Sequence, residues 1–338
     1  MLSIRTLRCR SRILCARILI ALIFAFIVAG VRESGADDAP PAAAGFRALL
    51  DRHQRESLRS IADYVSKNSD ADDAEQAALW MFETALSQGL EAEVVDSAEQ
   101  FLKRRGLDQP AVALAQQALC VGLARMGKRN DALALFDAHL KGIRFQSPFR
   151  TLDLASSLSA QARIAGDLAG SREIYERVAA AFPLNAQFNE IIAGRIARQE
   201  LIGRPVPRVA GNDVEGKRFE MAEYFGKVVL VDFWATTCGP CLAEFPNLRQ
   251  IYKENHAKGF EIVGISFDDG PETVQSYVAR AKLPWRTVMD ESSEGVVSKG
   301  FSVQTIPALF LVDRQGTVAQ VDVRGNDLRI AVEKLLVP

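Results

Sequence analysis

The hydrophobic pattern of this 338-residue chain changes abruptly at the segment GRPVP, residues 203–207. Before it, residues 46–201 are rich in Ala, Leu, Glu, Arg and Gln, and their apolar positions recur at helical spacing. After it, near-continuous apolar runs alternate with amphipathic stretches, as in strands that are covered on both faces. These runs span residues 228–234, 260–266 and 308–313. The sequence therefore predicts two domains, an all-α domain at 46–201 followed by an α/β domain at 203–338.

Three glycines divide the predicted all-α domain into similar units. Gly89, Gly127 and Gly166 lie 38 and 39 residues apart, and each follows one amphipathic stretch and precedes another. This spacing predicts a repeat of helical hairpins. The third unit resembles the second half of a tetratricopeptide repeat in the placing of Gly166, Tyr175 and Pro183. Such repeats bind proteins on a concave surface, so we expect either a protein partner there or a role as spacer and cover.

The first 36 residues have the order of an export signal. Five arginines and no acidic residue precede position 18, and fourteen apolar or small residues fill positions 18–31. Small residues also suit a cleavage before Asp37, and an uncleaved membrane anchor is the alternative. In both cases we expect an exported protein, periplasmic or anchored to face that compartment, with residues 37–45 as a linker.

The charge distribution argues against one class of partner. The formal net charge is -1, yet residues 1–36 hold six arginines and a single acid, so the rest of the chain is mildly acidic. A nucleic-acid-binding domain requires Lys and Arg clustered on one face. We therefore expect no nucleic-acid partner.

The cysteines indicate chemistry rather than a disulfide framework. Two of the five lie in residues 1–36, and Cys120 stands among apolar residues, which predicts a small buried thiol. Cys238 and Cys241 enclose Gly-Pro where the strand predicted to end at Trp234 gives way to a helix. The start of a helix stabilises a thiolate, so we predict Cys238 as the nucleophile and Cys241, one turn later, as the resolving thiol. A zinc half-site and an inert structural disulfide are the alternatives.

Residues 203–336 resemble the thioredoxin superfamily, and within it the exported TlpA/ResA-like thiol-disulfide oxidoreductases. The resemblance rests on VDFWATTCGPC (231–241), AEFPNL (243–248), GKVVLVDFWA (226–235) and TIP (305–307). The segment 268–303 also resembles the insertion found in TlpA/ResA-like members. The resemblance implies that the two cysteines are themselves the redox centre, so that neither a cofactor nor a metal ion is expected.

The same resemblance implies which residues contact a substrate. Pro307 matches the family's cis-proline, which leaves the backbone of Ile306 free to pair with an extended peptide. A trans-proline that opens the following strand is the alternative. Trp234, Gly239 and Pro240 are the other substrate-binding residues that the resemblance implies.

Two acidic residues match further catalytic positions. Asp232 matches the buried acid of the superfamily, and a carboxyl whose pKa is raised by burial can accept the proton of Cys241. A hydrogen-bonded structural acid is the alternative. Glu244 matches an acid of TlpA/ResA-like members, and we expect it to tune Asp232 or else to lie exposed on the helix. Two features depart from the family, because Thr237 replaces a Trp and the run 260–266 lacks the Lys that pairs with the buried acid.

The leading prediction is an exported enzyme that exchanges the Cys238–Cys241 dithiol with protein dithiol or disulfide substrates. We expect it to act as a reductase that receives electrons from a membrane thiol-disulfide donor. A disulfide oxidase or isomerase is an alternative, since the same fold supports potentials from roughly -270 to -120 mV. A partner-binding protein whose α/β domain is mainly structural is the other.

Overall fold

The computed structural model describes residues 45–104, 106–107, 109–142, 148–290 and 296–337. The predicted signal or anchor and nearly all of the predicted linker lie outside these ranges. The chain divides into two compact units, residues 1–53 and 54–338, and the described part of the first is Gly45 and the start of a helix. Within the described ranges, no helix is both long enough and apolar enough to cross a membrane.

The described residues before residue 203 are mostly helical, as predicted. Its α-helices are α1 (Phe46–Lys67), α2 (Ala74–Gln88), α3 (Val95–Leu102), α4 (Gln109–Arg125), α5 (Arg129–Gly142), α6 (Leu152–Ile164), α7 (Leu168–Ala181) and α8 (Ala186–Gln199). Short 3₁₀ turns precede α3 and α6. We call α2 to α8 the helical layer. Its core is dense in small side chains, since alanines of α2, α3, α4 and α6 are completely buried in the same apolar cluster as larger rings such as Phe82 and Phe136.

The three glycines that set the predicted repeat lie at or just beyond helix ends. Gly89, Gly127 and Gly166 follow α2, α4 and α6 and have φ values of 67°, 75° and 80°. Glycine adopts this left-handed conformation without steric cost, and it is the usual way for a helix to end. After the second and third glycines, α5 packs on α4 and α7 packs on α6. The hairpins are therefore present, and the tetratricopeptide likeness stays a prediction.

The α/β region begins with an antiparallel hairpin of β1 (Ala210–Asn212) and β2 (Arg218–Glu220). The main sheet consists of β3 (Val228–Trp234), β4 (Phe260–Ser266), β5 (Arg286–Met289), β6 (Ala308–Val312) and β7 (Val318–Val321). Its helices are α9 (Gly239–Asn255), α10 (Pro271–Ala281), α11 (Val296–Gly300) and α12 (Gly325–Leu336). The hairpin and α11 were not predicted, because segments of three to five residues carry little periodic signal.

The strand order of the main sheet is β5-β4-β3-β6-β7. β3, β4 and β5 are parallel, whereas β6 is antiparallel to β3 and β7 is antiparallel to β6. Successive residues of a strand point to opposite faces. On β3, Leu230 and Trp234 accordingly pack on the face covered by α9, α10 and α12, while Val231 and Phe233 pack on the other face. This alternation places Asp232 on the α9 face.

The outer edge of β7 is covered by the chain itself. The backbone N–H of Gly203 donates to the carbonyl of Val318 at 2.8 Å, and the N–H of Val318 donates to Arg204 at 2.9 Å. Arg163 of α6 donates to the carbonyl of Val321 at 2.8 Å. An uncovered edge would expose unpaired backbone groups. The helical layer therefore contacts the sheet directly, and whether 46–201 and 203–338 fold as separate domains stays a prediction.

Candidate redox site

The loop between β3 and α9 is fixed by a carboxylate that sequence reasoning did not single out. Asp268, two residues after β4, accepts from the backbone N–H of Thr236 at 2.9 Å and from its hydroxyl at 2.5 Å. It also accepts from the hydroxyl of Ser266 at 2.8 Å. At the end of this loop the N–H of Cys238 donates to the carbonyl of Ala235 at 3.1 Å. Residues that follow the carboxyl ends of β3 and β4 thus fix the position of Cys238, the residue just before α9.

Cys238 and Cys241 form a disulfide across the first turn of α9, with their Cα atoms 5.3 Å apart. Cys238 is the residue that caps the helix, and its Sγ accepts from the backbone N–H of Cys241 at 3.2 Å. Gly239 and Pro240 are exposed, and proline fits the first turn because its missing N–H would have no intrahelical acceptor there. Cys238 is half-buried, whereas Cys241 is only 2% exposed. The order in which the two thiols attack stays a prediction.

The peptide bond between Ile306 and Pro307 is cis, as predicted. Both residues are half-buried, and Ile306 packs against the apolar cluster that contains the two cysteines. The carbonyl of Pro307 accepts from Nη2 of Arg324 at 2.9 Å. Pairing between the backbone of Ile306 and a substrate stays a prediction.

Asp232 is buried, with 2% of its surface exposed, and its Oδ2 has no hydrogen-bond partner among the described residues. Burial raises the pKa of Asp232 to about 7, while the positive charge of Arg324 opposes this shift and the carboxylate of Glu244 adds to it. The direction is the one predicted for a carboxyl that lacks a fixed partner. The side chain can therefore exchange a proton near neutral pH.

Glu244 is half-buried rather than exposed on the helix surface. Its Oε1 accepts from the backbone N–H of Gly325 at 2.9 Å and from the side chain of Asn247 at 2.7 Å. Glu244 therefore links α9 to the first residue of α12. The alternative of an exposed surface acid is wrong, because both bonds draw the carboxylate into the junction between the helices.

Arg324 is the site residue that the sequence reasoning missed. The run 260–266 lacks the Lys that pairs with the buried acid in the family, and here the positive charge of Arg324, the residue before α12, lowers the pKa of Asp232 instead. The only signal in the sequence was a basic residue between the last strand and the last helix. That position has no fixed distance from Asp232 along the chain, so no spacing argument could select it.

Trp234 is fully buried behind the disulfide. Its ring centroid lies 5.1 Å from that of Phe245 and 5.4 Å from that of Tyr277. Gly264 on β4 makes room for it, because a Cβ at that position would lie 2.9 Å from the indole nitrogen. Contact between Trp234 and a substrate stays a prediction, and it would require this aromatic cluster to open.

Cys120 lies outside the site. Its thiol is free and buried in α4, and its Sγ lies 3.1 Å from the carbonyl of Ala132. Burial raises the pKa of Cys120 to about 12. The thiol is therefore protonated at neutral pH, as expected for a packing residue.

Comparison with known proteins identifies relatives of the α/β region. A sequence model of the AhpC/TSA family matches residues 202–321. The thiol-disulfide oxidoreductase ResA of Bacillus thuringiensis subsp. konkukian is 31% identical over 135 residues, which cover 40% of this chain and 76% of that protein. ResA of Bacillus subtilis is 30% identical over 134 residues, covering 40% of this chain and 73% of the relative. The thioredoxin domain of a thiol-disulfide oxidoreductase from Bacteroides vulgatus is 32% identical, with 40% and 97% coverage and a TM-score of 0.38.

The residues matched by the AhpC/TSA model include the Cys238–Cys241 disulfide. The AhpC/TSA match begins after the helical layer, at residue 202. By its α/β region, the chain belongs to the ResA-like thiol-disulfide oxidoreductases of thioredoxin fold.

Proposed function

We propose that this protein is an exported reductase of protein disulfides, in which Cys238 attacks, Cys241 resolves and Asp232 accepts the proton of Cys241. The observation that carries the proposal is the unequal setting of the two sulfurs. Cys238 is half-buried at the helix start, whereas Cys241 is almost completely buried on the face that also holds Asp232.

In the first step, the thiolate of Cys238 attacks one sulfur of a substrate disulfide. The substrate S–S bond breaks, its other sulfur leaves as a thiolate that takes a proton from water, and a mixed disulfide joins Cys238 to the substrate. The start of α9 supports the thiolate form, because the N–H of Cys241 points at Sγ of Cys238 and the helix dipole is positive there.

In the second step, Cys241 gives its proton to the carboxylate of Asp232 and attacks Sγ of Cys238. The mixed disulfide breaks and the second substrate sulfur leaves, taking a proton. The substrate has then gained two electrons and two protons, and the protein holds the Cys238–Cys241 disulfide, the form seen in this structure. A pKa near 7 suits Asp232 to this transfer, because general bases work best near the ambient pH.

The direction and the compartment are part of the proposal. The dipeptide Gly-Pro between the cysteines resembles that of reducing members of the superfamily, and the basic and apolar residues 1–31 are those of an export signal or anchor. A reductase outside the cytoplasm needs electrons, so we infer a membrane thiol-disulfide donor. The substrate-facing residues are Gly239, Pro240, Ile306 and Pro307.

Trapping the mixed disulfide tests the order of attack. With a disulfide-bonded peptide or insulin, Cys241→Ser should accumulate adducts through Cys238, and Cys238→Ser should accumulate none, as judged by mass spectrometry. Cys120→Ser is the matched control and should behave as the parent. Equal trapping through Cys241, or insulin reduction by the double variant, would contradict the assignment.

The direction is tested by the reduction potential of the Cys238–Cys241 pair against glutathione buffers. A reductase should fall near the thioredoxin value of about -270 mV, whereas a value near about -120 mV would indicate an oxidase. Fusion of residues 1–45 to a reporter that is active only outside the cytoplasm tests export. An inactive reporter would contradict the proposed compartment.

A further inference from the structure

Arg324 lies between the cis-proline loop and the last helix. It is the residue before α12, its side chain is half-buried, and its Nη2 donates to the carbonyl of Pro307 at 2.9 Å. An arginine that spans two loops in this way restricts both, because a charge-assisted hydrogen bond is stronger than a neutral one. The segment after β7 therefore constrains the loop that borders the disulfide.

The next residue contacts the other border of the site. The N–H of Gly325 donates to Glu244 at 2.9 Å, and its carbonyl accepts from the side chain of Asn247 at 3.2 Å. Glu244 and Asn247 both belong to α9, the helix that begins with the redox cysteines. Two consecutive residues thus reach both the cis-proline loop and the cysteine-bearing helix.

The helical layer forms hydrogen bonds with the residues just before Arg324. Asp322 is buried and accepts from Nη1 of Arg198 at 3.3 Å. Arg163 donates to the adjacent carbonyl of Val321 at 2.8 Å. These contacts come from α8 and α6, which lie more than 120 residues earlier in the chain.

The helical layer also forms hydrogen bonds with a residue just after Arg324. Asp327 accepts two hydrogen bonds from Arg125, at 2.9 and 2.6 Å, and a third from Gln161 at 2.8 Å. A bidentate arginine–carboxylate pair fixes orientation as well as distance. Arg324 therefore lies in a segment that is held at both ends by the helical layer.

The charges that face Asp232 come from two elements. Arg324, the residue before α12, lowers the pKa of Asp232 and Glu244 on α9 raises it, whereas the cross-strand neighbours of Asp232, Gly264 on β4 and Leu309 on β6, carry no charge. The positive charge of Arg324 also lowers the pKa of Asp322, so it acts on two carboxyl groups. It is the cation that opposes protonation of Asp232.

We propose that Arg324 is a positioning residue of the redox site, which holds the cis-proline loop through Pro307 and directs its positive charge toward Asp232, and that the helical layer keeps it there through Asp322 and Asp327. This inference rests on the proposed proton acceptance by Asp232. The helical layer then supports the chemistry, whether or not it also binds a partner.

The test is the pH dependence of mixed-disulfide release, measured in the full chain by acid quenching of single turnovers. Without the guanidinium charge, Asp232 should ionise at higher pH, because a nearby opposite charge lowers a carboxyl pKa by about one unit or more. The midpoint is the pH at which the rate of mixed-disulfide release reaches half of its maximum. Arg324→Gln should therefore raise this midpoint by about 1 pH unit and slow release at pH 7 about fivefold. Arg324→Lys, which keeps the charge, should restore most of the midpoint.

Asp327→Asn, which loosens the segment while Arg324 remains, should move the midpoint in the same direction by less. This variant carries the test if Arg324→Gln does not fold. The matched control is Arg249→Gln on α9, an exposed arginine that binds only the carbonyl of Ala281 in the described structure, and its midpoint should equal that of the parent.

The outcomes separate this inference from the proposed function. If Asp232→Asn releases the substrate at the parental rate, the proposed proton transfer is wrong. If Asp232→Asn is slow but Arg324→Gln keeps the parental midpoint, Arg324 has no positioning role. An unchanged midpoint in Asp327→Asn would overturn the part assigned to the helical layer.

Discussion

Two buried carboxyl groups in the α/β region have opposite surroundings. Asp232, on the face of the sheet that carries the disulfide, has an oxygen without a partner in the described structure, and burial raises its pKa to about 7. Asp322, at the edge that meets the helical layer, is also buried, which by itself would raise its pKa. There Arg198 and its neighbouring arginines outweigh burial and hold the pKa of Asp322 below the usual range.

The comparison shows that burial alone does not decide the charge of a carboxyl group. The helical layer brings arginines to the edge of β7 and leaves the α9 face with Arg324 as the cation that opposes burial at Asp232. Asp322 is thereby kept ionised, whereas Asp232 has a pKa close to neutral pH. The first suits a structural contact, whereas the second suits proton transfer.

The largest effect is expected from Asp232→Asn on the release of a mixed disulfide. The amide keeps the volume but cannot accept a proton, so release at pH 7 should slow by about 10²- to 10⁴-fold while attack by Cys238 is retained. The deficit should shrink above pH 9, where a thiol ionises unaided. Stopped-flow separation of the two steps measures both, and a parental release rate would leave Asp232 with a structural role only.

The same change at Asp322 should act on stability. Asp322→Asn leaves Arg198 buried without its anion, which should lower the free energy of unfolding at pH 7 by about 3–5 kcal/mol. Because the folded-state pKa is depressed, the stabilisation by the parent residue is present above the unfolded pKa near 4 and is lost as the pH falls through the folded value. Urea unfolding at several pH values measures this, and equal stability of the two proteins at pH 7 would show that the Asp322–Arg198 contact does not stabilise the fold.

Asp232→Asn should change stability in the opposite sense. The parent carboxyl is raised from 3.8 to about 7, so the folded state binds a proton that the unfolded state has lost, and stability declines as the pH rises from about 4 to about 7. The amide removes this decline. At pH 8 the variant should be more stable by up to about 4 kcal/mol, and at pH 4 the two should be alike. Urea unfolding that showed a less stable variant at pH 8 would contradict the raised pKa.

The smallest effect is expected at Glu244. Its charge raises the pKa of Asp232, so Glu244→Gln should move the midpoint of release to lower pH by less than one unit, while the amide oxygen can still accept from Gly325. Release at pH 7 should be faster by less than about twofold. A shift to higher pH would show that Glu244 acts through the packing of α12 and not through its charge.

Local sequence patterns determined the parts of this protein that lie close together in the chain. The apolar runs predicted β3 and β4 to the residue, and the tetrad after Trp234 predicted the first turn of α9. The glycine spacing predicted helix ends in the helical layer. Each of these follows from backbone and periodicity rules that act over a few residues.

The tertiary structure alone decided which charges meet. Arg125 lies 202 residues from Asp327, and Arg198 lies 124 residues from Asp322, so no local pattern could pair them. The same holds for Arg324, whose positive charge acts on Asp232 only after β7 has paired with β6 and α12 has packed against β3. An electrostatic interaction depends on the distance between the two groups and on the loss of water around both of them. The spacing of residues along a chain determines neither quantity.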